Sequence, residues 1–184
     1  ALGEGTGLLP ECKIVVLGNG GAGKTELIRT VLKGFEHDPD QEMTHGIRLW
    51  HWGGDGYKPF PEYDVDFVDL NIWDFGGQDL YHNTHRLFLE NRAVFIVVDS
   101  FRELREEGPK STRFPLQYWI DQIQSANGEP EIILVRTGID ADEQPRSDWQ
   151  EKVQREFPGL PHFELSSKDD KLGDREGFRT TLLE

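Results

Sequence analysis

Cysteine occurs once in the 184 residues, at Cys12, and methionine once, at Met43. A single cysteine excludes an intramolecular disulfide and points to a reducing compartment, the cytoplasm. At the start of an apolar run, Cys12 reads as a small buried hydrophobe rather than a reactive thiol. Basic side chains are scarce too: 20 Lys and Arg stand against 34 Asp and Glu, a net charge of −14. Such acidity repels polyanions, which excludes nucleic acid and anionic lipid surfaces as bulk partners. Long hydrophobic runs are missing. The longest, Ala93 to Val98, is far too short to cross a bilayer, so direct membrane insertion is not expected. There is no internal repeat and no visible signal peptide. The glycine-rich start reads as a linker remnant over residues 1–10, leaving 11–184 as one domain. Gly177 to Glu184 reads as helix, as expected if the chain stops inside a larger protein.

What the chain does have is glycine concentrated in one place. Gly18-Asn19-Gly20-Gly21-Ala22-Gly23-Lys24-Thr25 fits the phosphate-loop pattern G-x-x-x-x-G-K-[ST] without a mismatch. Ile14-Val15-Val16-Leu17 precedes it as a buried strand, and Glu26 to Lys33 follows with Leu27, Ile28, Val31 and Leu32 on one helical face. Glycines let backbone N–H groups turn toward one point, where the helix N-terminus adds partial positive charge. Lys24 is a mobile cation for outer phosphates, and the Thr25 hydroxyl suits Mg²⁺. Gly18, Gly20 and Gly23 also satisfy the dinucleotide pattern G-x-G-x-x-G, with Glu42 about twenty residues on. Lys24-Thr25 argues against that alternative, since a dinucleotide site has no use for a lysine and a hydroxyl there.

Strand and helix patterns alternate along the chain. Strands are expected at Cys12–Leu17, Ile47–Trp52, Asp66–Trp73, Ala93–Val98, Glu131–Val135 and His162–Leu165. The second and third form an antiparallel pair. Helices are expected at Lys24–Lys33, at Leu116–Ser125, from Ser147 to about Phe157, and at the C-terminus. Ser147 and Gln150 have capping-box spacing. The sum is an α/β fold: a six-stranded, mostly parallel sheet with one antiparallel edge and helices on both faces. The tryptophans at 50, 52, 73, 119 and 149 sit on separate elements and read as packing residues.

Two further motifs narrow the class. Trp73-Asp74-Phe75-Gly76-Gly77-Gln78 ends the third strand. An aspartate there reaches Mg²⁺ through water, Gly77 presents a backbone N–H to a γ-phosphate, and Gln78 stands where a water-orienting glutamine belongs. Thr44, nineteen residues after Thr25, can offer Mg²⁺ a second hydroxyl and the γ-phosphate an N–H, a contact that exists only with a triphosphate. Thr137-Gly138-Ile139-Asp140 follows the fifth strand. The Asp140 carboxylate accepts from both N1–H and the exocyclic amine of guanine, which adenine cannot match. Ser166-Ser167-Lys168 follows the sixth strand and is similar to a Ser-Ala-Lys element that touches the guanine carbonyl.

With these motifs in this order, the chain resembles the Ras-like P-loop GTPases. More closely it resembles the Roc domain, the GTPase module of Roco proteins and leucine-rich-repeat kinases. The finer likeness rests on Thr44-His45-Gly46-Ile47, on Trp73 to Gln78, and on Tyr81-His82-Asn83-Thr84-His85-Arg86-Leu87-Phe88. It runs from Glu11 to the end. The resemblance implies GTP and GDP binding with Mg²⁺ and slow hydrolysis, with Lys24, Thr44 and Gln78 as catalytic groups. It implies nucleotide contacts from Asn19 to Thr25 and from Gly77, Thr137, Asp140 and Ser166 to Lys168, and metal contacts from Thr25, Thr44 and Asp74. It also implies a leucine-rich-repeat region before the domain, a COR domain after it, and action as a dimer with a second Roc domain. Thr137 and Gly138 depart from the usual asparagine and lysine, which weakens the expected nucleotide affinity but not the base choice. Arg92 and Arg86 are candidates for a cationic finger, in cis or across a dimer. His82 and His85, three apart, read as packing or hydrogen-bonding groups rather than metal ligands. The competing functional reading is a nucleotide-binding dimerisation or interaction module with little turnover; a P-loop ATPase is disfavoured by Asp140.

Overall fold

In the computed structural model of the chain, the residues described are 11–33, 36, 38, 40, 42, 44–52, 69–76, 89, 92–101, 114–139, 147–169, 171 and 173–183. Their central element is β1 (Glu11–Gly18), whose Ile14 to Leu17 are at most 1% exposed. A strand covered on both faces needs apolar side chains at every position, which is why the run does not alternate. Ile14 and Val16 enter one core cluster, Val15 and Leu17 the other. β4 (Val94–Ser100) and β5 (Glu131–Thr137) divide in the same way, with Ile96, Val98, Ile133 and Val135 on the first face. Phe95, Val97, Ile132 and Leu134 take the second.

The sheet has six strands in the order β2-β3-β1-β4-β5-β6, where β2 is Ile47–Trp52, β3 is Asp69–Phe75 and β6 is His162–Glu164. Only β2 runs antiparallel, against β3. The expected fold class is therefore observed, antiparallel edge included. A β1-helix-β2 unit with an antiparallel β2 is not the parallel unit a dinucleotide site requires, so topology also removes that alternative.

α1 (Lys24–Glu26) runs directly into π-helical turns at Leu27–Leu32. The sequence pattern predicts one continuous α-helix. The Thr30 hydroxyl donates to Glu26 O at 2.8 Å and competes for the carbonyl an α-helical N–H would use. Lys33 N then bonds Ile28 O, five residues back, at 3.0 Å. These turns pack on the first face with Phe178 and Leu182 of α4 (Arg175–Leu183). Arg179 locks the two together by donating twice to Val31 O, from Nε at 3.0 Å and Nη2 at 2.6 Å. α2 (Leu116–Ala126) and α3 (Ser147–Glu156) cover the other face through Trp119, Ile120, Ile123, Trp149 and Val153. Helices thus lie on both faces. No helix among the described residues is long and apolar enough to cross a membrane.

Some boundaries move. β3, β4 and β5 each run two residues past their expected ends, to Phe75, Ser100 and Thr137. Ser147 is already helical, and the Gln150 amide donates to Glu164 at 3.0 Å. The expected capping box is therefore replaced by a bond from α3 to β6. Cys12 is half-buried among core residues, and burial pushes its thiol pKa up, as expected for an inert group.

Phe178 is fully buried between α4 and the sheet. Phe178→Ala is expected to cost about 3–5 kcal/mol of unfolding free energy. Urea denaturation checks this, and a loss below about 1 kcal/mol would show that α4 does not seal this face.

Candidate nucleotide site

β1 lies between β3 and β4, the point where successive connections leave the central strand in opposite directions. Open α/β sheets bind ligands there, beyond the carboxyl ends of the strands. The glycine loop emerges at that point. Gly23 holds it in shape with φ +82°, and a Cβ there would meet Thr137 Oγ1 at 3.2 Å. Lys24 is 6% exposed and folds back on the loop, donating to Gly18 O at 2.9 Å and Asn19 O at 2.7 Å.

The three sequence-predicted metal groups converge beside it. The Thr25 hydroxyl donates to Asp74 Oδ2 at 2.6 Å, and the Thr44 hydroxyl lies 2.9 Å from that of Thr25 and 3.3 Å from Asp74 Oδ2. They come from the loop, the segment before β2 and the end of β3. Asp74 is fully buried, and its Oδ1 has no hydrogen-bond partner among the described residues. Burial drives its pKa up, opposed by the Thr25 bond, Lys24, Thr44 and Arg48. One carboxylate oxygen without a partner, with two hydroxyls alongside, is an all-oxygen donor set that fits Mg²⁺ or its bound water.

Glycine at position 76 makes this convergence possible. Gly76 N donates to Gly46 O at 2.7 Å. A Cβ on Gly76 would lie 2.5 Å from Thr44 O, so any side chain would push the Thr44 segment away from Asp74. Sequence reasoning passed over Gly76; the doubled glycine after Phe75 was the available signal.

The base side differs from expectation in detail. The Thr137 hydroxyl donates to Ala22 O at 2.6 Å and is 4% exposed, so it braces the phosphate loop from β5. Ser166 is fully buried, and its Oγ accepts from Lys168 N at 3.1 Å and Asp169 N at 3.0 Å, shaping the loop after β6. Ser167 is half-buried and Lys168 exposed on that loop. The Asn19 side chain turns away to the backbone of Phe114. Arg92 is exposed just before β4, whereas the loop sits at the other end of the parallel strands, where Gly18 pairs with Val98. Four residues of strand, roughly 13 Å, separate the two ends. The structure does not bring Arg92 to the phosphate loop. Gly77, Gln78, Asp140, and the Tyr81–Phe88 stretch with His82, His85 and Arg86 lie outside the described residues.

With this geometry in view, comparison with known families decides the class. Residues 13–140 match the family described as Roc, Ras of Complex, Roc, domain of DAPkinase. The chain belongs to the Roc domain family. This Roc domain is 33% identical over 127 residues to the probable serine/threonine-protein kinase roco5 of Dictyostelium discoideum, covering 65% of the chain and 4% of that protein. It is 25% identical over 168 residues to a Roc-COR-CHAT protease of an unknown prokaryotic organism, covering 86% of the chain and 15% of the protease. Among solved structures, Methanosarcina barkeri Roco2 RocCORdC bound to GDP superposes with a TM-score of 0.69 at 30% identity, over 95% of this chain and 48% of that one. The Roc domain therefore has a Ras-like GTPase fold and spans a small part of the kinase and protease and about half of the Roco2 chain.

The partnerless oxygen of Asp74 yields a stability prediction for the nucleotide-free Roc domain. Its folded pKa is raised, so the folded state binds the proton more tightly than the unfolded state. Stability then falls as pH rises from the ordinary aspartate range through the raised folded value. Asp74→Asn keeps an acceptor for Thr25 and removes the charge. It is expected to raise the thermal midpoint at neutral pH, with the gain shrinking as pH drops below that window. Equal midpoints at neutral pH would mean that the ionised carboxylate is fully compensated.

Proposed function

We propose that this Roc domain binds GTP and GDP with Mg²⁺, hydrolyses GTP slowly to GDP and phosphate, and acts as a nucleotide switch in a larger Roco-type protein. The observation that carries this reading is the meeting of Thr25, Thr44 and Asp74 beside Lys24. Thr25, Thr44 and Asp74 would hold Mg²⁺, directly or through water, and the ion would neutralise charge developing on the phosphate oxygens. Lys24 and the loop N–H groups bind and orient the β- and γ-phosphates. Gln78 would position the attacking water, and the Gly77 N–H would donate to the γ-phosphate. Thr44 reaches the site only while its segment is folded against Gly76, so γ-phosphate occupancy would be read out as order in that segment.

Residues 11–184 would form the Roc unit, with residues 1–10 as linker. Relatives whose names include COR, and the RocCOR neighbour of which this chain matches 48%, support a COR domain as the adjoining partner. A second Roc domain would complete a dimer, and Arg92 would act only across it. The single cysteine fits a cytoplasmic setting. A nucleotide-binding module without turnover is separated by a single-turnover phosphate-release assay: release of one phosphate per bound GTP supports the switch, and bound GTP that persists refutes it.

Gln78→Leu is expected to lower that release rate about tenfold or more with GTP affinity little changed. An unchanged rate would remove Gln78 from the water-positioning role.

Asp140 is the base-selecting group in this reading. A carboxylate facing an acceptor in a partly buried pocket is costly, so ADP is expected to compete at least about a hundredfold more weakly than GDP. Asp140→Asn presents a donor, and xanthine has a carbonyl where guanine has its amine. The variant should lose guanine preference and gain xanthosine diphosphate binding. Equal competition by ADP and GDP against the parent would refute guanine selection.

A further inference from the structure

The helix that follows the phosphate loop departs from the geometry its apolar side chains ask for. Leu27, Ile28, Val31 and Leu32 recur at α-helical spacing, and all four are at most 1% exposed. A plain α-helix would bury the same four residues against the first face of the sheet. Yet the turns at Leu27–Leu32 are π-helical, and Lys33 N donates to Ile28 O, five residues back, at 3.0 Å. Such turns are rare and concentrate at functional sites. Apolar burial does not select them here, so polar contacts must hold this register.

Two side chains bond carbonyls at the two ends of these turns. At the start, the Thr30 hydroxyl donates to Glu26 O at 2.8 Å, the acceptor that the Thr30 N–H would use in an α-helix. Thr30 is 4% exposed, so its hydroxyl needs a partner inside the protein. At the end, Val31 O is among the last carbonyls of the helix, which no helical N–H reaches. It accepts from Arg179 twice, from Nε at 3.0 Å and Nη2 at 2.6 Å. Arg179 follows Phe178, which is fully buried on this face, so α4 delivers the guanidinium from a fixed point. Its charge also suits a helix C-terminus.

The first turn of the same helix carries Lys24 and Thr25. A slip of one residue turns a helix by about 100° and moves it by about 1.5 Å along its axis. Val31 and Leu32 are fixed in the core, so a slip from the π to the α register would be taken up at the other end. It would draw Thr25 away from Asp74, to which its hydroxyl donates at 2.6 Å. We propose that Arg179 is a positioning residue for the outer phosphates and Mg²⁺. With Thr30 it holds the π register, and the register sets where Lys24 and Thr25 stand. α4 thus governs nucleotide retention from the far end of the phosphate-loop helix. The effect on nucleotide rests on the nucleotide-binding reading above; the hold on the register does not.

The test pairs NMR couplings across hydrogen bonds in the isotope-labelled chain with GDP release rates. In the parent, Lys33 N is expected to couple to the carbonyl carbon of Ile28. Thr30→Val combined with Arg179→Gln should move that coupling to Arg29, the α-helical acceptor. Thr30→Ser keeps the hydroxyl and should keep the parent coupling. The double variant should release GDP about tenfold faster than the parent in Mg²⁺. That ratio should shrink when EDTA removes the ion, because the share of Thr25 acts through Mg²⁺. Should the double variant fail to fold, Arg179→Lys, which keeps the charge and loses the paired donors, carries both measurements with the same signs. A Lys33–Arg29 coupling in the parent, or an unmoved coupling in the variants, overturns the hold on the register. A moved coupling with unchanged GDP release overturns the positioning, and so does a ratio that EDTA leaves unchanged, which is general loosening of the fold. A parent that binds no GDP removes the positioning together with the nucleotide reading, while the NMR arm still decides the register.

Discussion

The Asp74 carboxylate is the group on which the site's arrangement turns. It is fully buried at the end of β3, and one of its oxygens finds no partner among the described residues. Burial disfavours its ionised form, and Thr25, Lys24, Thr44 and Arg48 offset only part of that cost. The hydroxyls that reach its other oxygen belong to two separate elements, so satisfying Asp74 draws the phosphate loop and the segment before β2 together. Nothing in the packing of β3 requires an acid there, since its neighbours Ile72 and Phe75 are ordinary core residues. That cost is local, and a hard cation held at this oxygen would offset it.

That arrangement depends on the sheet being buried on both faces. Because β1 feeds consecutive side chains to opposite cores, its direction is fixed, and Gly18 is delivered at one place, between β3 and β4. The loop then needs bracing, since glycines hold no conformation by themselves. Thr137 supplies this from β5 through Ala22 O, and Asn19 from the other side through Phe114. The departure from asparagine at 137 thus leaves a hydroxyl that serves the loop.

Much of this was legible in the sequence. The fold class followed from apolar runs and their spacing, and Lys24, Thr25, Thr44 and Asp74 followed from motif order. Each of these signals is local, or rests on a fixed separation along the chain. What escaped is carried by register and approach. The need for glycine at 76 comes from a backbone oxygen of Thr44, and no periodicity shows that contact. The π-helical turns depend on a hydroxyl-to-carbonyl bond that competes with the α-helical pattern. Gln150 had the right spacing for a cap, but Glu164 on β6 offered it a better partner in three dimensions.

Strand alternation also separates the phosphate loop from the aromatic groove on the other face of the sheet. Arg136 and Thr137 are consecutive on β5, so their side chains leave on opposite faces. Thr137 goes to the phosphate loop, and Arg136 goes to the aromatic cavity between α2 and α3. Asp99 and Ser100 stand beside them on β4 in the same register. Asn19 adds a bridge around the strand ends, from the loop itself to Phe114. The Asn19–Phe114 bonds thus tie the phosphate loop to the residues just before α2, although no aromatic side chain there belongs to a nucleotide-binding motif.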